Sequence, residues 1–281
     1  MRDYAGKLAG GFIMESELTH FRLYPANEPR TKAEEIGLRF GDKGTHTSRT
    51  MMLTELEAVL EMTGEKAGRS DYTSAIIDAN CLSKATAATR RLSSQRLSEL
   101  YGLEPELPLF RVLRRLWDVD PTNRPRLALM AAIARDPLLA ATISAVIPLS
   151  PGAEFQRAPM KAALRAAVGD RLNDSTLEKV CRNAASSWTQ SGHLEGRTFK
   201  KRRLVEASPA AAAFALYLAH AAGYRGAEIF SSTWFRLLDC DPSQARHLAL
   251  EAKRLGLINL RMAGDVVELD VTLLDPASRR I

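Results

Sequence analysis

Apolar residues recur at helical intervals through most of the chain. In "RTMMLTELEAVLEMT" (Arg49 to Thr63), Met52, Leu53, Leu56 and Leu60 share one helical face, and "SDYTSAIIDAN" (Ser70 to Asn80) predicts a shorter amphipathic helix. "NCLSKATAATRRLSSQRLSELYGL" (Asn80 to Leu103) follows as a third. Three short helices come next, "PLFRVLRRLWDVD", "RPRLALMAAIARD" and "PLLAATISAVI", punctuated by Pro108, Pro125 and Pro137, each near a helix start where the missing N–H costs least. Further on, Leu177, Val180, Cys181, Ala184 and Trp188 line one side of another helix, with Ser175 and Glu178 spaced as an S-x-x-E capping box. An N-terminal helix around Phe12 to Leu23 and a polar, Gly-rich loop from Glu34 to Ser48 precede all of these.

In two places the helical period gives way to alternation. Gly256 ends a helix, Leu257 to Arg261 alternate, Ala263, Gly264 and Asp265 form a turn, and Val266, Val267 and Val271 return, which predicts a β-hairpin. A weaker copy follows Trp188: Gly192 terminates the helix, "HLEG" goes out as a strand and "KKRRLVEA" comes back. A helix followed by a short hairpin closes a winged helix. The expected fold class is therefore mainly α: multi-helical, with two to three (winged) helix-turn-helix units and short β-hairpin wings. The expected division is residues 1–48, an N-terminal helix and loop; 49–150, a helix-turn-helix plus helical core; 151–207, a basic winged-helix-like unit; and 208–281, a C-terminal helical unit with a terminal hairpin.

A hydrophobic content of 46% with 26% charged residues over 281 residues is that of a folded protein with a sizeable core. The most apolar region, Leu127 to Leu149, approaches membrane-spanning length, but Arg135, Asp136 and Pro137 at its middle make it two buried helices. No uninterrupted apolar segment marks the N-terminus as a secretory signal. Cys81, Cys181 and Cys240 lie far apart with no CxxC or Cys/His spacing, so neither a disulfide framework nor a zinc knuckle is expected, and a reducing cytoplasm fits.

Thirty-nine Lys and Arg against 33 Asp and Glu leave a charge of +6, which matters only where it is concentrated. At 100° per residue the third helix places Ala85, Ala88, Leu92 and Leu100 on one side and Ala87, Arg90, Arg91, Ser94 and Ser98 on the other, with Lys84 near its start. Short side chains let a helix approach the floor of a DNA major groove about 12 Å wide, while Arg reaches phosphates or guanine edges. This helix follows a short helix and a tight connection, Cys81 to Ser83, as the second helix of a helix-turn-helix does. A second instance carries Lys179, Arg182, Asn183, Ser186 and Gln190 opposite its apolar face, and the densest charge cluster, Arg197, Lys200, Lys201, Arg202 and Arg203, comes directly after it. Lys84, Arg90, Arg91, Ser94, Lys179, Arg182, Asn183, Ser186, Arg197, Lys200, Lys201, Arg202 and Arg203 are thus the candidate DNA-contacting residues. The final hairpin, with Asp265, Glu268 and Asp270, would repel DNA, so the last unit is expected to pack or to bind protein.

Catalytic signatures are missing: no P-loop, H-E-x-x-H, nucleophile elbow or post-strand G-x-G-x-x-G. His20, His46, His193, His220 and His247 show no metal spacing, and only His193, in the expected hairpin, is placed to touch phosphate. Asp118 and Asp120 in "DVDP", and Asp239 and Asp241 in "DCDP", precede proline and read as turn formers or helix caps. Trp117, Trp188 and Trp234 sit on apolar faces and read as core. A non-enzymatic chain without metal or cofactor is expected.

The stretches "AGGFIMES" (Ala9 to Ser16) and "IIDANCLSKATAATRRLSSQRLSEL" (Ile76 to Leu100) resemble the BrxA-like family of the BREX bacterial phage-defence systems, whose first helix-turn-helix carries an Asn-x-Leu, Thr, Arg-Leu pattern. These stretches cover a minority of the chain. The resemblance implies a small, non-catalytic, helical, DNA-binding protein with winged-helix character, encoded with a methyltransferase, an ATPase and a phosphatase-like partner. This chain runs longer after Ser208 than that pattern, with the additional "AGDVVELDV" hairpin. The expected partners are double-stranded DNA and other defence-system subunits, and no membrane. Rival readings are an adaptor docking acidic proteins and a helix-turn-helix transcription regulator, which would be a symmetric dimer on a palindromic site.

Overall fold

Two short stretches of unbroken apolar sequence supply the centre of the molecule. The computed structural model describes residues 21–25, 30–264 and 266–277. The helices are α1 (Thr31–Glu35), α2 (Leu53–Met62), α3 (Arg69–Ile77), α4 (Ala87–Tyr101), α5 (Pro108–Trp117), α6 (Arg124–Arg135), α7 (Pro137–Ala140), α8 (Arg157–Val168), α9 (Asp174–Gln190), α10 (Pro209–Ala221), α11 (Thr233–Arg236) and α12 (Pro242–Arg254). Two antiparallel hairpins complete the described residues, β1 (Leu194–Glu195) with β2 (Lys201–Arg202) and β3 (Asn259–Ala263) with β4 (Val266–Asp270). The protein is mainly α. Most of the N-terminal helix expected at Phe12 to Leu23, and all of "AGGFIMES", lie outside the described residues; Phe21 to Leu23 are not helical.

Every residue of α6 from Leu127 to Arg135 and of α10 from Ala210 to Ala219 is buried, as a helix apolar on all sides must be. α6 packs against α4, α5, α9 and α10, while α10 packs against α12 through the latter's Ala245, Ala249 and Ala252. Alanines at this spacing let the two backbones come close. A continuous core thus joins Ala33 near the start of the described chain to Leu274 near its end, crossing the expected boundaries at 150 and 207.

The apolar Leu127 to Leu149 region is two helical segments, Pro121–Arg135 and Pro137–Ala145, set at 107° to each other, and no single helix among the described residues is long and apolar enough to cross a membrane. The two charges at the bend are structural. Arg135 donates to the carbonyls of Gly37, Ser98 and Glu99, tying down the C-terminal turn of α4, and burial lowers its pKa to about 10. Asp136 caps α7 by accepting from Leu138 N and Leu139 N.

The third predicted helix starts later than its composition suggests. Asn80 and Ser83 adopt left-handed conformations, Asn80 Oδ1 accepts from Lys84 N, and Thr86 caps α4 through Thr89 N, so residues 78–86 form the connection and not a tight turn at 81–83. Local side-chain bonds there outcompete helix formation. Its inward face is Ser93, Leu97, Leu100 and Tyr101; of the side expected to pack, Leu100 is buried, Ala88 and Leu92 are exposed because the buried stripe is rotated away from them, and Ala85 is exposed in the connection before the helix.

In the next unit the extended residues at Glu154 pair with β2: Phe155 N donates to Lys200 O at 2.8 Å and Arg202 N to Ala153 O at 2.9 Å. Then come α8, a 3-10 turn at Gly169–Arg171, α9, and the β1–β2 hairpin in the register Leu194↔Arg202 and Glu195↔Lys201. α9 begins at Asp174, capped by Asn173 Oδ1 accepting from Thr176 N, so Ser175 lies inside the helix and Glu178 pairs with Lys161 instead of completing a box. The expected apolar face of α9 is buried as read.

Asp241 caps α12 and Asp120 caps the 3-10 turn Pro121–Asn123, so both Asp-Pro steps open helical segments. β3 and β4 pair from Asn259↔Asp270 to Ala263↔Val266 around Gly264; Asp265 falls outside the described residues. All three tryptophans are buried.

Candidate nucleic-acid interface

The polar stripe of α9 divides between two surroundings. Its C-terminal half is covered by the 45–53 segment: Asn183 Nδ2 donates to His46 O at 2.8 Å, Gln190 Nε2 to Thr50 Oγ1 at 3.1 Å, and Gln190 Oε1 accepts from Leu53 N at 3.3 Å. The polar loop expected from Glu34 to Ser48 therefore has two buried polar residues near its end, Thr45 and His46. Asn183 is occupied by this joint and is removed from the candidate DNA contacts. Ser186, next to it, is half-buried.

At the heart of the joint, Ser187 Oγ lies 2.8 Å from His46 Nε2, and His46 Nδ1 lies 2.7 Å from Asp136 Oδ2. The order is that of a nucleophile, base and acid relay. All three side chains are buried, however, and Ser187 Oγ also accepts from Met51 N at 2.8 Å and lies 3.0 Å from Asn183 O, so no substrate reaches the hydroxyl. Burial alone would raise the Asp136 pKa; the charge and hydrogen bonds of His46, with the Leu139 N–H, outweigh it and hold the carboxyl below its ordinary value. What this arrangement accomplishes is attachment of α9 to the bend between α6 and α7. Sequence reasoning missed it because its members are 46, 136 and 187.

On the other side of α9 the cations remain accessible. Arg157 of α8, Arg182 of α9, and Arg197 and Lys200 of the hairpin line a cleft of about 200 Å³ together with Phe155, Ala185 and Thr198. No carboxylate lines it. Arg157, Arg182 and Arg197 have no ion-pair partner among the described residues. Lys200 is braced, with Nζ donating to Thr189 Oγ1 at 2.8 Å and Gly196 O at 3.1 Å; burial and then the Arg157 charge lower its pKa. Like charges held together in this way favour an anion between them. Exposed Lys179 and Lys201 extend the positive surface. Arg157, remote in sequence from the other cations, had no signal in the sequence reading.

The remaining candidates fall elsewhere. Arg202 is fully buried, its guanidinium paired with Asp239 and donating to Val146 O at 3.1 Å, so it cannot touch DNA; the strand's alternation turns Lys201 out and Arg202 in. Arg203 is exposed and pairs with Glu195 at 3.0 Å. His193 does not reach the surface: it lies in the core with Nδ1 2.9 Å from Ser191 Oγ and Nε2 2.8 Å from Leu237 O, and burial lowers its pKa to about 3. In the first helix pair, Lys84 is bound to Glu55 at 3.1 Å, and Arg90 is turned back to donate to Ile77 O at 2.6 Å, which caps α3. Arg91 is exposed and Ser94 half-buried. The first unit thus keeps one outward arginine from three candidate cations, while the second loses Arg202 to the core and gains Arg157.

Among the described residues no three His, Cys, Asp or Glu side chains are grouped to hold a metal. No protein-family model matches the chain, and no curated protein matches it significantly.

Proposed function

We propose that this chain is a non-catalytic, cytoplasmic protein that binds double-stranded DNA through α8, α9 and the β1–β2 hairpin, acting as a winged helix-turn-helix. The observation that carries this reading is the carboxylate-free cleft where Arg157, Arg182, Arg197 and Lys200 meet at the junction of two helices and a hairpin. Phosphate neutralisation dominates the affinity of DNA-binding proteins, and these four cations come from three elements that a duplex would touch together. α9, with 17 residues, is roughly 25 Å long and narrow enough for a groove about 12 Å wide once Lys179 and Arg182 lead. Arg91 on α4 offers a second, weaker contact, and two weak contacts on one chain raise each other's effective concentration.

Service within a BREX-type phage-defence assembly, alongside other subunits, rests on the resemblance of "IIDANCLSKATAATRRLSSQRLSEL" and "AGGFIMES". The test is binding of the intact protein to a random-sequence duplex over a salt series, beside a variant with Arg157, Arg182 and Arg197 replaced by Ala. The expected slope of log affinity against log salt is steep, and the variant flattens it by up to about three. No binding at low salt, or an unchanged slope, overturns the reading and directs attention to acidic protein partners.

A further inference from the structure

We infer that Phe199, at the tip of the β1–β2 hairpin, is a wedge that enters the base stack of the bound duplex; this rests on the DNA reading of the same surface. Phe199 is the most exposed aromatic side chain among the described residues, at 72%. Single exposed apolar residues are common on protein surfaces and by themselves say little. Here the surroundings are specific. Its chain neighbours Arg197, Thr198 and Lys200 line the cation cleft, and Lys201 beyond them is exposed.

The turn that presents the ring is braced. Gly196 has φ +102, and a Cβ on it would lie 2.2 Å from Phe199 O, so only glycine lets the chain close on itself there. Lys200 Nζ then binds both Gly196 O and Thr189 Oγ1, fastening the turn to α9. The ring therefore stands away from the protein on a fixed support, and its position follows α9.

An apolar ring set among cations matches few partners. Against an apolar protein surface, the arginines and lysines around it would lose water without compensation. In a duplex the same spacing is satisfied, because the ring slides between bases while the cations stay on the phosphates either side. Insertion of this kind unstacks one step and kinks the helix axis, and it is easiest where stacking is already weak, at pyrimidine–purine steps or mismatches. The inferred ligand is thus a duplex bent at one deformable step.

The three native tryptophans are buried, so Phe199→Trp introduces an accessible reporter. On addition of duplex its fluorescence should be quenched and become shielded from iodide. Wild type should bind a duplex with one central mismatch roughly tenfold more tightly than the fully paired duplex, a preference that Phe199→Ala abolishes while keeping its salt slope. End-to-end energy transfer should report a bend with wild type and not with Phe199→Ala. Unaltered emission of the Phe199→Trp variant at saturating DNA, with Phe199→Ala indistinguishable from wild type on both duplexes, overturns the wedge and leaves the DNA reading intact. Failure of wild type to bind any duplex removes both.

Discussion

The Arg202 guanidinium closes on the Asp239 carboxylate, with both side chains buried, and so fastens the basic hairpin to the connection between α11 and α12. Asp239 adopts a left-handed backbone conformation and turns its other carboxylate oxygen to Val205 N, 2.8 Å away. One residue of a basic run has thereby become part of the frame that holds the others outward.

Arg202→Ala should leave Asp239 buried and unpaired and cost about 3–5 kcal/mol, seen as a lowered urea midpoint. Lys201→Ala, one position away, should leave the midpoint within about 0.5 kcal/mol and weaken DNA binding. Equal effects of the two on stability would contradict the inward and outward assignment.

The buried Ser187 and His46 should behave as structural groups. Ser187→Ala leaves Met51 N and a His46 ring nitrogen without their partner, at a cost of about 1–3 kcal/mol in denaturant titration. A fluorophosphonate probe should leave Ser187 of the folded protein unlabelled; stoichiometric labelling at this residue would revive a catalytic role.

Acid should destabilise the fold through His193. Burial lowers its pKa to about 3 from 6.5, so between these values the unfolded chain binds a proton that the folded chain refuses. The contribution is present above about pH 6.5 and lost as pH falls towards 3, by at most about 1.4 kcal/mol per unit. His220, lowered to about 4 by burial and by Arg225 and Lys32, acts in the same direction. Denaturant midpoints at pH 7, 5.5 and 4.5 should fall in that order, and His193→Gln, which keeps a donor for Leu237 O, should flatten the dependence.

Arg90 and Arg91 should separate in the same manner as the hairpin pair. Arg90→Ala removes the bond to Ile77 O and should cost about 1 kcal/mol of stability. Arg91→Ala should leave stability unchanged and reduce DNA affinity less than Arg182→Ala does, as gel shift or anisotropy would report. A larger effect at Arg91 would move the principal DNA contact to α4.

Helical content, both hairpins and the break at Arg135–Asp136 were legible in the sequence, because periodicity, prolines and caps act within a few residues. Asp120 and Asp241 at helix starts and the apolar stripe from Leu177 to Trp188 were read from such local signals. Where Asn80 and Thr86 delayed the start of α4, one local signal overrode another.

Which polar side chains face solvent was decided by the tertiary structure. Arg182, Asn183 and Gln190 look alike on a helical projection, yet the 45–53 segment occupies the last two and leaves the first in a cleft with Arg157. Local spacing specifies the face of its own helix, whereas the groups covering that face come from positions 46, 50 and 157, brought there by burial of the core. The sequence by itself therefore determined most of the elements and the apolar face of α9, while that of α4 waited on packing; the fold alone decided which cations stayed in water, because desolvating a charge is tolerated only where partners wait, the Asp239 carboxylate for Arg202 or backbone carbonyls for Arg135.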